Sequence, residues 1–203
     1  MGGVQGIAAA AGPRIPPGGR AEIGRLNHAL SRLIGLAAGG GPPNVFTTLA
    51  RHRRLFRKWL RFAGGLMPGG VLPRKDSELV ILRVAHNTDC EYEWRHHERL
   101  GRAAGFAAEE IERVRDGAAA PGWGSRQSLL LRAADELHAE RTISEDLWGE
   151  LRDRLTDVEL IELCMLVGHY EMLAMTLNAL AVEPDPVPSG PPSRIVRLLE
   201  GAR

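Results

Sequence analysis

The feature that most limits what this 203-residue chain can become is the period of its apolar residues, which is helical almost throughout between two breaks. Over residues 47–62, Leu49, Leu55, Phe56, Trp59, Leu60 and Phe62 interleave with Arg51, Arg53, Arg54, Arg57, Lys58 and Arg61 at amphipathic helical spacing. The basic side of that segment is read as a solvated helix face, with attraction of an anionic substrate or nucleic acid as the alternative. Leu79, Ile81, Leu82 and Val84 make the next helix apolar nearly all round, so it should be buried, with Pro73 in its first turn. Thr88 and Glu91 have the spacing of a capping box, which predicts a helix starting near Asp89, running through Trp94 and Leu100 and stopping near Gly105. Further helices are expected over 108–114, 125–138, 144–154 and 156–181. No segment alternates with the period of two that a strand requires, so the fold class is all-α.

Two breaks set the organisation. Residues 1–20 are dominated by Gly, Ala and Pro and lack apolar periodicity, so they cannot repay the entropy of ordering and read as a flexible arm. The run from Glu183 to Pro192 contains five prolines, each of which removes a backbone donor and pushes its predecessor out of the helical region. It reads as an extended linker within a tail, 183–203, whose Ile195, Leu198 and Leu199 suit a short docked helix. The domain proper is 21–182. Within it, the segment from Leu72 to Leu79 is echoed by the segment from Leu155 to Leu160, and Tyr92-Glu93 by Tyr170-Glu171, which raises two related helical repeats as an expectation.

Composition narrows the function classes. Aromatics are only 5% of the chain, so the core is aliphatic; 26 Lys and Arg balance 25 Asp and Glu, which argues against a protein devoted to nucleic acid. Two cysteines, Cys90 and Cys164, make neither a disulfide framework nor a four-thiolate zinc site and favour a reducing, cytoplasmic compartment. No secretion or acylation signal opens the sequence, and no apolar stretch is expected to span a bilayer.

The densest reactive cluster is Asp89-Cys90-Glu91-Tyr92-Glu93-Trp94-Arg95-His96-His97. On a helix, Cys90, Glu93, Trp94 and His97 share a face. Cys90 falls in the first turn, where free N–H groups and the helix dipole lower a thiol pKa. Glu93 and His97 lie one turn apart, so the carboxylate can orient the imidazole for general acid or base work. The plainer alternative is a surface ion pair beside a small buried cysteine. Adjacent His96 and His97 diverge by about 100° on a helix, and with Glu93 and His86 they match no metal motif, so no metal is expected.

The stretch from Asn44 to His52, the run Leu72-Pro73-Arg74 leading to Glu78-Leu79-Val80-Ile81-Leu82-Arg83-Val84-Ala85, and Tyr92-Glu93-Trp94-Arg95-His96-His97 resemble the carboxymuconolactone decarboxylase family, over residues 44–182. The resemblance implies the all-helical fold shared with the alkylhydroperoxidase AhpD. In AhpD-like peroxidases it implies a glutamate, a Cys-x-x-Cys pair at a helix start and a histidine four residues further on. Glu78 stands at the glutamate, Cys90 at the first cysteine and His97 at the histidine, but Glu93 occupies the second cysteine position and cannot close a disulfide.

What the decarboxylases imply is a cofactor-independent lyase or isomerase working by acid/base catalysis on a small carboxylated, lactone-like or enolisable substrate. Glu78, Cys90, Glu93 and His97 are then the candidate catalytic residues, and Arg83, His86, Tyr92 and Trp94 the candidate substrate-binding residues. A buried Glu78 would carry a raised pKa suited to an acid, and Arg83 could clamp a substrate carboxylate or a structural one. Two other readings are a thiol-dependent hydroperoxide reductase centred on Cys90 and a non-catalytic binding or assembly protein. Expected partners are a small-molecule substrate and other copies of the chain, as dimer, trimer or hexamer, with no nucleic acid and no membrane.

Overall fold

A computed structural model describes residues 12–37 and 40–186. Among these residues there are ten helices and no strand: α1 (Arg20–Ile23), α2 (Arg25–Ala37), α3 (Asn44–Leu49), α4 (Arg53–Leu66), α5 (Arg74–Asn87), α6 (Glu91–Ala103), α7 (Ala108–Asp116), α8 (Ser125–Glu140), α9 (Glu145–Arg152) and α10 (Asp157–Leu180). The all-α expectation holds. α5 is the axle of the bundle, packed against α6, α7, α8 and α10. Leu79, Val80, Ile81, Leu82 and Val84 are wholly shielded from solvent, as its all-round apolar pattern predicts. Each such side chain contributes about 1.5–3 kcal/mol relative to exposure. Leu130, Leu131, Leu163 and Leu166 complete the aliphatic core around it.

Arg126, near the start of α8, ties the first turns of α5 and α10 together. Its guanidinium donates to Asp76 at 2.6 Å, to Glu159 at 2.9 Å and to the Arg154 carbonyl at 3.1 Å.

Several expectations change. The basic segment 47–62 is not one helix: α3 ends at Leu49, and α4 restarts after His52, whose ring nitrogen accepts from the Leu55 N–H. Thr88 does not cap α6. Its hydroxyl turns back to the Val84 carbonyl at 2.7 Å, closing α5, and Cys90 takes the N-cap position without a side-chain hydrogen bond. Residues 12–19 are not a free arm, because Arg14 N–H donates to the Leu180 carbonyl and Gly18 N–H to the Thr47 carbonyl. The rest of the arm, and Ile195, Leu198 and Leu199, lie outside the described residues. Asp185, at the other break, accepts from the Asn44 N–H at 2.7 Å and from the Tyr92 hydroxyl at 2.6 Å.

The repeat does not extend to matching helix pairs. Tyr92-Glu93 opens a helix, whereas Tyr170-Glu171 lies in the middle of the unbroken α10. That helix also corrects the reading of apolar runs: its 24 residues are long and apolar enough to cross a membrane by length and composition. Leu160, Leu163, Leu166, Val167, Leu173 and Leu177 bury one side of it inside the protein, as in the core helix of a globular domain.

Candidate active site

The packing of α6 and α10 against α5 brings a carboxylate, an imidazole, a second carboxyl and a phenol together. Glu78, wholly buried on α5, places Oε2 2.7 Å from Nδ1 of His97 on α6, itself only 6% exposed. With the carboxylate ionised, Nδ1 carries the proton and donates, which fixes the tautomer and leaves Nε2 as the basic nitrogen. Arg74, one turn earlier on α5, puts Nη2 2.8 Å from the other carboxylate oxygen, Oε1. That contact is an ion pair whose angle falls short of a hydrogen bond.

Tyr170 of α10 stands edge-on against His97, with ring centroids 5.1 Å apart and planes at 88°. Burial first, then Glu78 and Glu93, push its phenol well above the usual range. Glu93 is 2% exposed, and neither carboxylate oxygen has a hydrogen-bond partner. Burial, with Glu171 adding, raises its pKa well above that of a free glutamate, so the neutral acid is favoured. Glu171 pairs with His138 of α8, Oε1 to Nδ1 at 2.6 Å.

The residues named from sequence divide accordingly. Glu78, Glu93 and His97 come together, but the orienting carboxylate is Glu78, across the helix interface, and not Glu93 along the same helix. Cys90 is 1% exposed, and its thiol is pushed up to about 12 by burial and then by Glu93. The helix start that should lower it is outweighed, although the backbone N–H groups of Glu93 and Tyr92 do pull in that direction.

Arg83 is not a substrate clamp. It grips Asp135 through Nε at 2.6 Å and Nη2 at 3.1 Å, and the carbonyls of Val114 and Arg115 through Nη1. Trp94 lies beneath the Arg115 guanidinium at 3.6 Å, with the His86 ring edge-on at 6.3 Å. Tyr92 is held by Asp185 and the Val45 N–H. Arg83 and Trp94 therefore tie α5 and α6 to α7 and α8, and Tyr92 ties α6 to α3 and to Asp185.

Sequence reading missed Arg74 and Tyr170 as site residues, although Arg74 and Glu78 have the i,i+4 spacing of a helical ion pair and Tyr170-Glu171 stood out as an echo. It also missed His169. That residue is 5% exposed, with Nδ1 unpartnered, and is stacked on Trp59 at 6.1 Å and edged by Phe62 at 5.3 Å. Burial, and then His97, lower its pKa to about 4. Two shallow surface depressions, one lined by Ala108, Glu109 and Arg113 and one by Arg51–Arg54, do not reach any of these groups. Among the described residues, no group of three His, Cys, Asp or Glu side chains is placed to hold a metal.

The chain has the all-α AhpD-like fold. It aligns with the AhpD-core, peroxidase-related protein from Ralstonia eutropha JMP134 at TM-score 0.77 and 20% identity, covering 85% of this chain and 92% of that one. A peroxidase-related protein from Silicibacter sp. TM1040 aligns at 0.75 and 18%, covering 87% and 95%. A cysteine-to-alanine variant of the debrominase Bmp8, in complex with 2,3,4-tribromopyrrole, aligns at 0.74 and 10%, covering 93% and 98%. At such identities these likenesses establish the fold. Residues 53–136, from α4 into α8, match the model of the Carboxymuconolactone decarboxylase family. No curated protein sequence matches it significantly.

Proposed function

We propose that the chain is an acid/base enzyme of lyase or isomerase type, resembling carboxymuconolactone decarboxylase and needing no cofactor, that acts on a small carboxylated, lactone-like or enolisable substrate. The observation that carries this reading is the buried Glu78–His97 pair at 2.7 Å, with Glu93 buried and unpartnered one turn before His97 on α6. Glu78 holds Nδ1, and His97 moves the proton at Nε2. In a decarboxylation, the electrons of the breaking carbon–carboxylate bond pass into the adjacent carbonyl as an enolate, and protonated His97 returns a proton to the carbon. In an isomerisation, the same nitrogen removes a proton from one carbon and delivers it to another. Glu93, kept neutral by burial, donates a hydrogen bond to the enolate oxygen, as a carboxylic acid in an apolar site does.

The test is a panel of carboxylated lactones and enolisable acids read for carbon dioxide release, isomerisation or loss of water. A substrate turned over by the wild type should lose about 10²–10⁴ in rate with His97→Ala, and comparably with Glu78→Gln. Turnover unchanged in both variants rules the mechanism out.

One observation favours a thiol-dependent reading, namely Cys90 at the N-cap of α6. The buried thiol held near 12 weighs against it.

A further inference from the structure

We propose that the seam between α4 and α10 seats one end of the substrate at Trp59 and His169, and that this end is an uncharged, flat ring carrying a hydroxyl group. Among the described residues, two ring nitrogens are buried without a hydrogen-bond partner, Nε1 of Trp59 and Nδ1 of His169. They belong to adjoining rings, stacked with centroids 6.1 Å apart and planes at 26°. Buried polar atoms are normally bonded, so two unmade bonds on neighbouring rings mark a place for a polar group that the chain itself does not supply. The His169 side chain is 95% buried, since only 5% of the residue is exposed.

The surroundings define the ligand. Indole Nε1–H only donates, whereas Nδ1 of a neutral imidazole accepts in one tautomer and donates in the other. A hydroxyl answers both nitrogens whichever tautomer His169 holds, because it accepts from an N–H and donates to a bare nitrogen. Burial and then His97 set the His169 pKa, with no carboxylate and no Lys or Arg acting on it, so a charged group would be buried there unpaired. The walls are aromatic: Phe46 and Phe56 pack on Trp59 at 5.9 and 6.0 Å, and Phe62 stands edge-on to His169 at 5.3 Å. At the mouth, Phe62 is 41% exposed, and Met165 and Met172, on the His169 face of α10, are 46% and 42% exposed. A methyl group added at Gly64, Gly65 or Gly168 meets nothing within 4 Å, which leaves room for Phe62 to turn aside. Inward, the rings of Tyr170 and His97 follow in two steps of 5.1 Å each. The seat thus leads to the Glu78–His97 pair, and the assignment of the substrate's other end to that pair rests on the acid/base reading.

The experiment reads binding without turnover, so failure of the acid/base reading leaves its outcome untouched. The full chain, labelled with 5-fluorotryptophan at its four tryptophans, is titrated with phenol, toluene and benzoate up to about 5 mM and followed by fluorine NMR. The Trp59 signal, identified as the one lost in Trp59→Phe, should move with phenol while those of Trp94, Trp123 and Trp148 stay in place. Toluene, which keeps the ring without the hydroxyl, and benzoate, which brings a charge, should each bind about tenfold more weakly. His169→Phe keeps a ring and removes the nitrogen, so it should reduce the preference for phenol over toluene. A Trp59 signal unmoved by phenol, toluene or benzoate binding as tightly as phenol, or an undiminished preference in folded His169→Phe would overturn the proposal. Should that variant not fold, the three probes on the unaltered chain decide it.

Discussion

Glu93 shows what a buried position does to a residue that spacing had given another task. With neither oxygen bonded and its pKa raised by burial, its ionised form is penalised only in the folded state. A raised folded pKa stabilises below the unfolded value, near 4.5, and that contribution is lost as pH rises through the folded pKa. Glu93→Gln, which cannot ionise, should therefore gain stability relative to wild type as pH goes from about 4.5 toward neutrality. Urea unfolding of both proteins at the two pH values measures it; a pH-independent difference would show that Glu93 ionises freely in place. Cys90 gives a second residue-scale prediction. A thiol at about 12 exposes a thiolate fraction on the order of 10⁻⁴ at pH 8. Iodoacetamide should leave Cys90 unmodified by peptide mass spectrometry until the protein is unfolded, and Cys90→Ser should keep whatever turnover His97→Ala abolishes. Rapid labelling of the folded protein would return the thiol to the mechanism. Both residues were visible in the sequence, but their chemistry was not: helical spacing reports which side chains share a face, whereas desolvation depends on what packs over that face.

Among the elements, α5, α8 and α10 were legible because their apolar residues recur with helical period and their ends carry readable signals, such as Thr156 capping α10 with Glu159. The break between α3 and α4 was not, because the apolar and basic residues continue in register across Ala50–His52, and only the packing of α3 on α2 and α4 separates them. The orienting carboxylate was hidden for a similar reason, since Glu78 and His97 meet across two helices. Arg83 illustrates the same limit. It reaches from α5 to Asp135 on α8 and to the last-turn carbonyls Val114 and Arg115 of α7, so it closes a helix end and joins three elements. Arg83→Ala should cost about 2–4 kcal/mol by leaving Asp135 and those carbonyls short of partners. Arg83→Lys should recover only part, because a point charge cannot reproduce four directed bonds. Chemical denaturation of the three proteins decides it; a loss below about 0.5 kcal/mol, together with a raised KM, would restore Arg83 as a substrate clamp.

At the scale of the whole molecule, the near-zero net charge conceals a division. Residues 1–73 hold ten of the 26 Lys and Arg but a single acid, Glu22, while 74–203 hold the other 16 against 24 acids, so the two parts carry +9 and −8. Ion pairing does not cancel them against each other. All ten basic side chains of the first part are exposed, and among the described residues none joins an ion pair, every such pair lying between Arg74 and Glu171. Those basic groups with internal partners, Arg14, Arg51, Arg53 and Arg57, donate to neutral oxygens, which leave the charge in place. Such a layer produces a positive field over α1 to α4 that a uniform net charge of +1 does not describe. The protein should therefore bind a cation exchanger at about pH 8.5, above its sequence pI of 7.9, and elute with salt as the exposed charges are screened. Arg54, Lys58 and Arg61 have no partner among the described hydrogen bonds and ion pairs. Changing all three to glutamine should bring elution to lower salt while moving stability by less than about 0.5 kcal/mol at each position. Passage of the wild type straight through the column would mean that the acidic remainder cancels the layer in solution.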